Sequence, residues 1–419
     1  MICLLSQEHN ECLHGMHGGT LMKYDFDRVI DRKNSDSSKW NVKQVFGSED
    51  VIPMWVADMD FPISKAITAA LRERIDHELY GYAYVRPSLI EAVVDRMQKK
   101  YDWKIEPEWI VFTPGVVPAL NAAIRAFTHP GDEVIIHDPV YHPFWSAIEQ
   151  SGCCIASSPL RLADGRYETD LGDLEAKFGP KVGMRPGVSR ARMMILCNPH
   201  NPVGRVWTRG ELIAMGNVMF KHGAVMVSDE VHCEILFKGQ QHVPFASISE
   251  EFAQNSVVCQ GGTKTFNLAA LGASTIIIPN KKLRAAFNAA RAGILPQPSV
   301  LSLVALEAGY RDGDEWLHQM LDYLQSNLDF LLKYCEERIP QIRVIKPEGT
   351  YLVWLDCRKL GMDNLALRSF FREKAKVGFD DGYIFGPAGA GFQRMNIACP
   401  RAILEEALRR IEGAVTDGR

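Results

Sequence analysis

The chain has 419 residues, 47% of them hydrophobic and 23% charged, the composition of a folded globular protein with a sizeable core rather than a disordered one. Lys and Arg number 47 against 51 Asp and Glu, so the formal net charge of -4 gives no electrostatic reason to expect nucleic acid as a partner. The length predicts two or three domains; the 10 cysteines, with no C-x-x-C pair and no zinc-spaced His/Cys cluster, signal neither a disulfide framework nor a metal site and point to reduced thiols in a cytoplasm.

Residues 1–21 stand apart from the rest. The opening apolar run is short and lacks a basic start, so it is not a secretory signal, and no window of about 18 apolar residues occurs that would span a membrane. His9, His14 and His17 lie among Gly15, Gly18 and Gly19 in what reads as a disordered extension, with a metal-binding tract as the alternative. Patterned sequence begins at Lys23, which makes Met22 the expected older start.

Residues 22–61 carry little periodicity and end in Trp55-Val56-Ala57-Asp58-Met59-Asp60-Phe61, an apolar arm expected to pack on a body formed later in the chain. Over 64–77 the positions Ile67, Ala70, Leu71 and Ile75 recur at helical spacing. Tyr80-Gly81-Tyr82-Ala83-Tyr84 follows as an aromatic turn, which by itself reads as packing. Strands are then predicted at 109–113, 133–136, 155–158, 193–197, 224–228, 256–259 and 272–278, with helices at 116–127, 143–150 and 208–222. Short apolar runs alternating with helices predict an α/β fold: a mostly parallel sheet covered by helices on both faces. Past Pro296 the alternation stops. Helices at 301–310, 316–337 and 401–415 and a strand at 351–355 predict a smaller α+β domain at 298–419, joined by the 22–61 arm, with the large domain at 62–297.

In such sheets ligands bind beyond the carboxyl ends of the strands, and the stretches that carry chemistry are expected there. Cys259-Gln260-Gly261-Gly262-Thr263-Lys264-Thr265-Phe266-Asn267 turns from a buried strand into a lysine flanked by threonines. A lysine that captures a carbonyl needs a partly desolvated pocket to lower its pKa, although a threonine-lysine in a glycine turn is, taken alone, an ordinary loop. Four stretches precede it: Thr113-Pro114-Gly115-Val116-Val117, Asp138-Pro139-Val140-Tyr141, Asn198-Pro199-His200-Asn201-Pro202 and Ser228-Asp229-Glu230-Val231-His232. Phe392-Gln393-Arg394-Met395-Asn396 follows it.

Together they offer what pyridoxal phosphate needs from a protein. Lys264 is the Schiff-base lysine and general base. Asp229 keeps the pyridine nitrogen protonated, and His232 and Asn201 are partners for the phenolic oxygen. The amides of Gly115, Val116 and Val117 open a helix toward the phosphate. Tyr141 lies on the ring and joins Lys264 and Asp229 as a catalytic candidate. Arg394, with Asn201, takes the α-carboxylate of an amino-acid substrate, because a guanidinium fork matches a carboxylate. Each residue alone also has an ordinary structural reading; the ordered set does not.

That set resembles the fold-type I pyridoxal-phosphate enzymes and is similar to their cystathionine β-lyase branch, the MalY/PatB family of carbon-sulfur lyases. The phrases that carry the resemblance are 55–61, Tyr80-Gly81-Tyr82, Cys197 to Pro202, Ser228 to His232, Thr263 to Asn267 and Arg394-Met395-Asn396, and it covers roughly residues 23–415. It implies an aminotransferase-like large domain and a homodimer with a shared active site, in which Tyr82 of one subunit reaches the phosphate of the other. It also implies β-elimination of cystathionine or a related cysteine S-conjugate to a thiol, pyruvate and ammonia. Thr263 replaces the family's usual serine and keeps the hydroxyl, so the resemblance implies that it binds the phosphate. Gly272 stands where aminotransferase relatives place a phosphate-binding arginine, which argues for the lyase branch or for a weaker hold on the cofactor, and residues 292–298 differ from the usual substrate-side loop. The rival reaction is transamination with the same lysine, aspartate and arginine. A reading of another class is added regulatory binding of a transcription activator, which one family member performs.

Overall fold

The computed structural model describes residues 23–179 and 190–417; the expected extension at 1–21 and the start at Met22 lie outside them. Seven strands form the central sheet, in the spatial order Ile110–Thr113, Ser274–Ile277, Ser256–Gln260, Val225–Asp229, Ala191–Cys197, Glu133–Asp138 and Cys154–Pro159. Ser274–Ile277 runs antiparallel to both neighbours and the other four pairings are parallel, so the sheet is the mostly parallel one expected.

Side chains explain the two covered faces. Successive residues of a strand point to opposite sides, and here both sets are apolar. Val134, Ile136, Met193, Ile195, Val227, Val257 and Ile276 pack in one core with the helices Val116–Phe127, Pro143–Gln150 and Lys281–Arg291. Ile135, Met194, Leu196, Met226, Val258 and Ile277 belong to the larger core on the opposite face. Each such side chain, fully buried, contributes about 1.5–3 kcal/mol. Strands outrun the apolar runs that announce them because backbone pairing continues past the last apolar residue: Glu133–Asp138 stays paired as far as Asp138 with Pro159.

Helix starts follow local chemistry. Ser64 Oγ accepts from the Ala66 N–H at the head of Lys65–Asp76, and Thr208 and Glu211 exchange bonds in a capping box at the head of Arg209–Lys221. Several helices go beyond the sequence expectation, and two of them are long. Pro87–Tyr101 buries Leu89, Ala92, Val93, Arg96 and Met97 at helical spacing, a pattern readable in the sequence, whereas Lys281–Arg291 buries only Phe287.

A second sheet, all antiparallel, has the order Arg343–Ile345, Leu352–Asp356, Phe392–Asn396, Asp380–Asp381. The arm attaches to this part of the chain. Ile52–Pro53 pairs in parallel with Val377–Gly378, and the Asp60 N–H donates to Ala398 O at 2.8 Å. No helix among the described residues is long and apolar enough to cross a membrane.

Candidate active site

The carboxyl ends of the large sheet bring most of the expected residues together. Val225–Asp229 ends on Asp229, which is buried and accepts the Val231 N–H at 3.1 Å. Burial, reinforced by neighbouring Glu230, pushes its carboxyl up to about 7, against the opposing pull of Val231 and Lys264. A carboxylate this deep is stable as an anion only beside a positive donor, which a pyridinium N–H would be.

The next strand, Ser256–Gln260, leads through Gly261 into the helical turn Gly262–Thr265 that carries Lys264. A Cβ at Gly261 would lie 3.0 Å from Ser274 Oγ and 3.1 Å from Ala273 O, so a glycine lets the turn press on the adjacent strand. Lys264 Nζ donates to Ala57 O at 2.7 Å. Burial, then the nearby Arg394 guanidinium, pushes the amine down to about 8, with Asp58 and Asp229 acting upward.

Ile110–Thr113 and Ser256–Gln260 flank the same antiparallel strand, which sets the starts of Val116–Phe127 and Gly262–Thr265 at one end of the sheet. First-turn amides have no helical acceptor, so those of Gly115, Val116 and Val117, with the Thr263 hydroxyl, can receive a phosphate. Ser274 Oγ, beside Gly261, and Thr265 Oγ1 are buried without a hydrogen-bond partner. Gly272 seals this corner: a Cβ there would fall 2.1 Å from Pro114 O, so no arginine fits at that position on this backbone.

His232 is buried and its Nδ1 has no partner. Burial, then Lys264 and Arg394, holds the imidazole well below its usual pKa, so it is neutral. Tyr141 is half-buried, edge-on to His142 and Phe144 with centroids 5.3 Å and 6.0 Å away, and burial raises its phenol.

Arg394 corrects the expectation that every such stretch sits at a strand's carboxyl end. It lies in the middle of Phe392–Asn396, paired across the antiparallel sheet with Asp380, and reaches the site from the opposite wall. Its Nη1 donates to Asn201 Oδ1 at 2.9 Å; its Nη2 donates to Trp55 O at 3.0 Å and pairs with the Asp380 carboxylate. The Arg394 Nε is buried without a partner. Asn201 therefore orients Arg394 and has its amide nitrogen left to donate to a ligand. Tyr82 is not brought to the others: it is fully exposed, on a segment that also exposes Leu79, Tyr80 and Tyr84.

The part of the site that the sequence reading missed is the wall made by the arm. Asn267 Oδ1 accepts the Met59 N–H at 2.9 Å, and its Nδ2 donates to Met59 O and Phe61 O, each at 3.0 Å. Asn396 Nδ2 donates to Val56 O and Asp58 O, each at 2.6 Å, and Tyr351 Oη donates to Ala57 O at 2.9 Å. Arg32 bonds Asp58 at 2.7 Å and Lys39 bonds Asp60 at 2.6 Å, with Lys39 fully buried. A signal was present: both lysine and arginine phrases close on an asparagine, and Asn267 takes a left-handed φ of 57° that asparagine tolerates.

These donors fit pyridoxal phosphate. An amine of lowered pKa, a buried carboxyl lacking a cationic partner, orphaned His232 and Ser274 atoms and a corner of unpaired amides match its aldehyde, ring nitrogen, phenolic oxygen and phosphate. The sequence matches the family model of aminotransferase class I and II over residues 49–411. It is 41% identical to cystathionine beta-lyase PatB of Bacillus subtilis (strain 168) over 395 residues, 94% of this chain and 100% of PatB. It is 33% identical to protein MalY of Escherichia coli (strain K12) over 397 residues, 94% of this chain and 99% of MalY. The crystal structure of cystalysin from Treponema denticola, which contains a pyridoxal 5'-phosphate cofactor, matches the fold with a TM-score of 0.91 at 36% identity, covering 95% of this chain and 100% of cystalysin. The chain belongs to the aminotransferase class I and II family, in the group that holds PatB and MalY.

Proposed function

We propose that this chain is a pyridoxal-phosphate-dependent carbon-sulfur lyase that converts cystathionine or a related cysteine S-conjugate, with water, to a thiol, pyruvate and ammonia. The observation that carries the reading is the meeting of Lys264, Asp229 and Arg394 in one buried cleft of a chain that matches a cystathionine beta-lyase over that relative's whole length.

Pyridoxal phosphate, when bound, supplies an aldehyde for the substrate amine and a protonated ring that takes up the electron pair left when the α-proton departs. The residues do the rest. Arg394, aimed by Asn201, Trp55 and Asp380, binds the α-carboxylate and turns the α-hydrogen toward Lys264. Lys264, with its amine near a pKa of about 8, accepts that proton, since a general base works best near the operating pH. Asp229 holds the ring nitrogen's proton by its charge. Neutral His232 and the Asn201 amide would hold the phenolic oxygen, Tyr141 would pack on the ring, and Thr263 with the Gly115, Val116 and Val117 amides would hold the phosphate. Lys264, once it carries that proton, would be the acid that returns it to the sulfur leaving with the C–S bonding pair.

The chain acts as a homodimer in this reading, with Tyr82 of the partner subunit completing the phosphate site. The exposed Leu79, Tyr80, Tyr82 and Tyr84 support it, because such a row of large apolar side chains is the mark of a contact surface. The division into a 22–61 arm, a 62–297 large domain and a 298–419 small domain is part of the same proposal, supported by the pairing of Ile52–Pro53 with Val377–Gly378. So is a cytoplasmic setting, supported by eight cysteines that are all unpaired among the described residues.

Incubation of the holoenzyme with cystathionine tests the reaction. Release of pyruvate and thiol in equal amounts, without any added keto acid, is the expected result. Conversion of the substrate to its own keto acid, with the C–S bond intact and only when a keto-acid acceptor is supplied, makes the chain a transaminase instead.

A further inference from the structure

We propose that Tyr351 is a positioning residue for Lys264, acting through a carbonyl oxygen that both side chains share. The inference rests on Lys264 being the working amine. Ala57 O accepts Lys264 Nζ at 2.7 Å and Tyr351 Oη at 2.9 Å. A carbonyl oxygen has two lone pairs, so both bonds form at once.

Both ends of this arrangement are rigid. Tyr351 is 1% exposed, sets its ring edge-on to His232 with centroids 5.8 Å apart, and accepts the Ile397 N–H at 3.0 Å through its own carbonyl. Ala57 sits between Val56 and Asp58, whose carbonyls are both held by Asn396. A fixed acceptor and a fixed donor thus face one mobile amine.

Two consequences follow from elementary hydrogen bonding. Lys264 must leave Ala57 O to act on cofactor or substrate, and a buried carbonyl stripped of every donor is unfavourable. Tyr351 keeps that oxygen bonded throughout, so the amine departs without stranding it. The shared acceptor also holds the lysine ammonium less strongly than an undivided one would. Removing the hydroxyl alone therefore favours the protonated, docked form of Lys264 and slows the steps in which it moves. The other groups facing the amine are Arg394 from the antiparallel sheet, Asp58 from the arm and Asp229 from the large sheet, with neutral His232. Arg394, Asp58 and Tyr141 also face Tyr351, and none of them is altered by the change.

The test uses Tyr351→Phe, which keeps the ring, and 3-fluorotyrosine installed at 351 alone, which strengthens the donor. In cofactor-free protein, acetylation of Lys264 by dilute acetic anhydride is followed against pH by mass spectrometry. The apparent pKa of Lys264 is expected to rise by about half a unit to one unit in Tyr351→Phe and to fall with the fluorinated ring. In the loaded enzyme Tyr351→Phe is expected to lower kcat by about five- to tenfold with KM within about twofold, and to move the acidic limb of the kcat profile to higher pH. A labelling pKa that stays put in either folded variant, or a kinetic loss confined to KM, overturns the proposal. The fluorinated protein decides alone if Tyr351→Phe does not fold. Labelling needs neither cofactor nor substrate, so its result is separate from the success or failure of the lyase reading.

Discussion

The two walls of the cleft are built by different rules. On the large-sheet wall, Asp229, Asn201, Lys264 and Gly115 stand within four residues of a strand's end, so each is placed by the local run that precedes it. On the opposite wall nothing is local. Lys264 meets Ala57, Asn267 meets Met59, and Arg394 meets Asn201 and Trp55 across 193 to 339 residues of chain. In the proposed function the first wall carries the groups that react, and the second sets the orientation and charge of those groups. Damage to the first is therefore expected to remove chemistry and spare the fold, and damage to the second to weaken binding or stability or, at Tyr351, to slow the amine without removing it.

The largest effect belongs to the reacting wall. Lys264→Ala is expected to lower pyruvate release by roughly a thousandfold or more while the thermal midpoint stays within a few degrees. Activity above about 1% would place the proton acceptor elsewhere. On the arm, Lys39→Met leaves the buried Asp60 carboxylate with one cation fewer. Breaking a buried pair in this way costs about 3–5 kcal/mol, measurable by urea unfolding, and an unchanged midpoint would mean that the arm is not held by charge.

Arg394→Lys sharpens the contrast between the walls. Lysine cannot reproduce a fork that reaches Asn201, Trp55 and Asp380 at once, so KM is expected to rise about a hundredfold with a smaller change in kcat. Equal losses in kcat and kcat/KM would instead assign the arginine to the transition state. Asn267→Ala removes three bonds to the arm and is expected to cost about 2 kcal/mol of stability, seen as a lower urea midpoint.

The most gradual effect is a pH dependence of the cofactor-free protein. The Asp229 carboxyl is raised in the folded chain, to about 7. Its stabilising contribution is therefore fully present below the unfolded value of about 4 and is lost as pH rises through the folded one, at no more than about 1.4 kcal/mol per pH unit. Asp229→Asn is expected to flatten that slope between pH 5 and 7, and an identical slope in both proteins would show that another group carries it.

What the sequence determined by itself was the large sheet and the residues proposed to react on it. Short apolar runs, helical spacing and glycine turns act over a handful of residues, so the strand Val225–Asp229, the helix Val116–Phe127 and the turn holding Lys264 can be read directly from the sequence. Pro87–Tyr101 was equally legible and needed only the same helical count. Tertiary structure alone decided the rest. No local pattern states which carbonyl receives Lys264, that Asn267 and Asn396 hold the arm, or that Arg394 reaches the site from mid-strand with Asp380 behind it. Those contacts join segments whose meeting depends on how the arm and the antiparallel sheet pack on the large one, and that packing is a property of the whole folded chain.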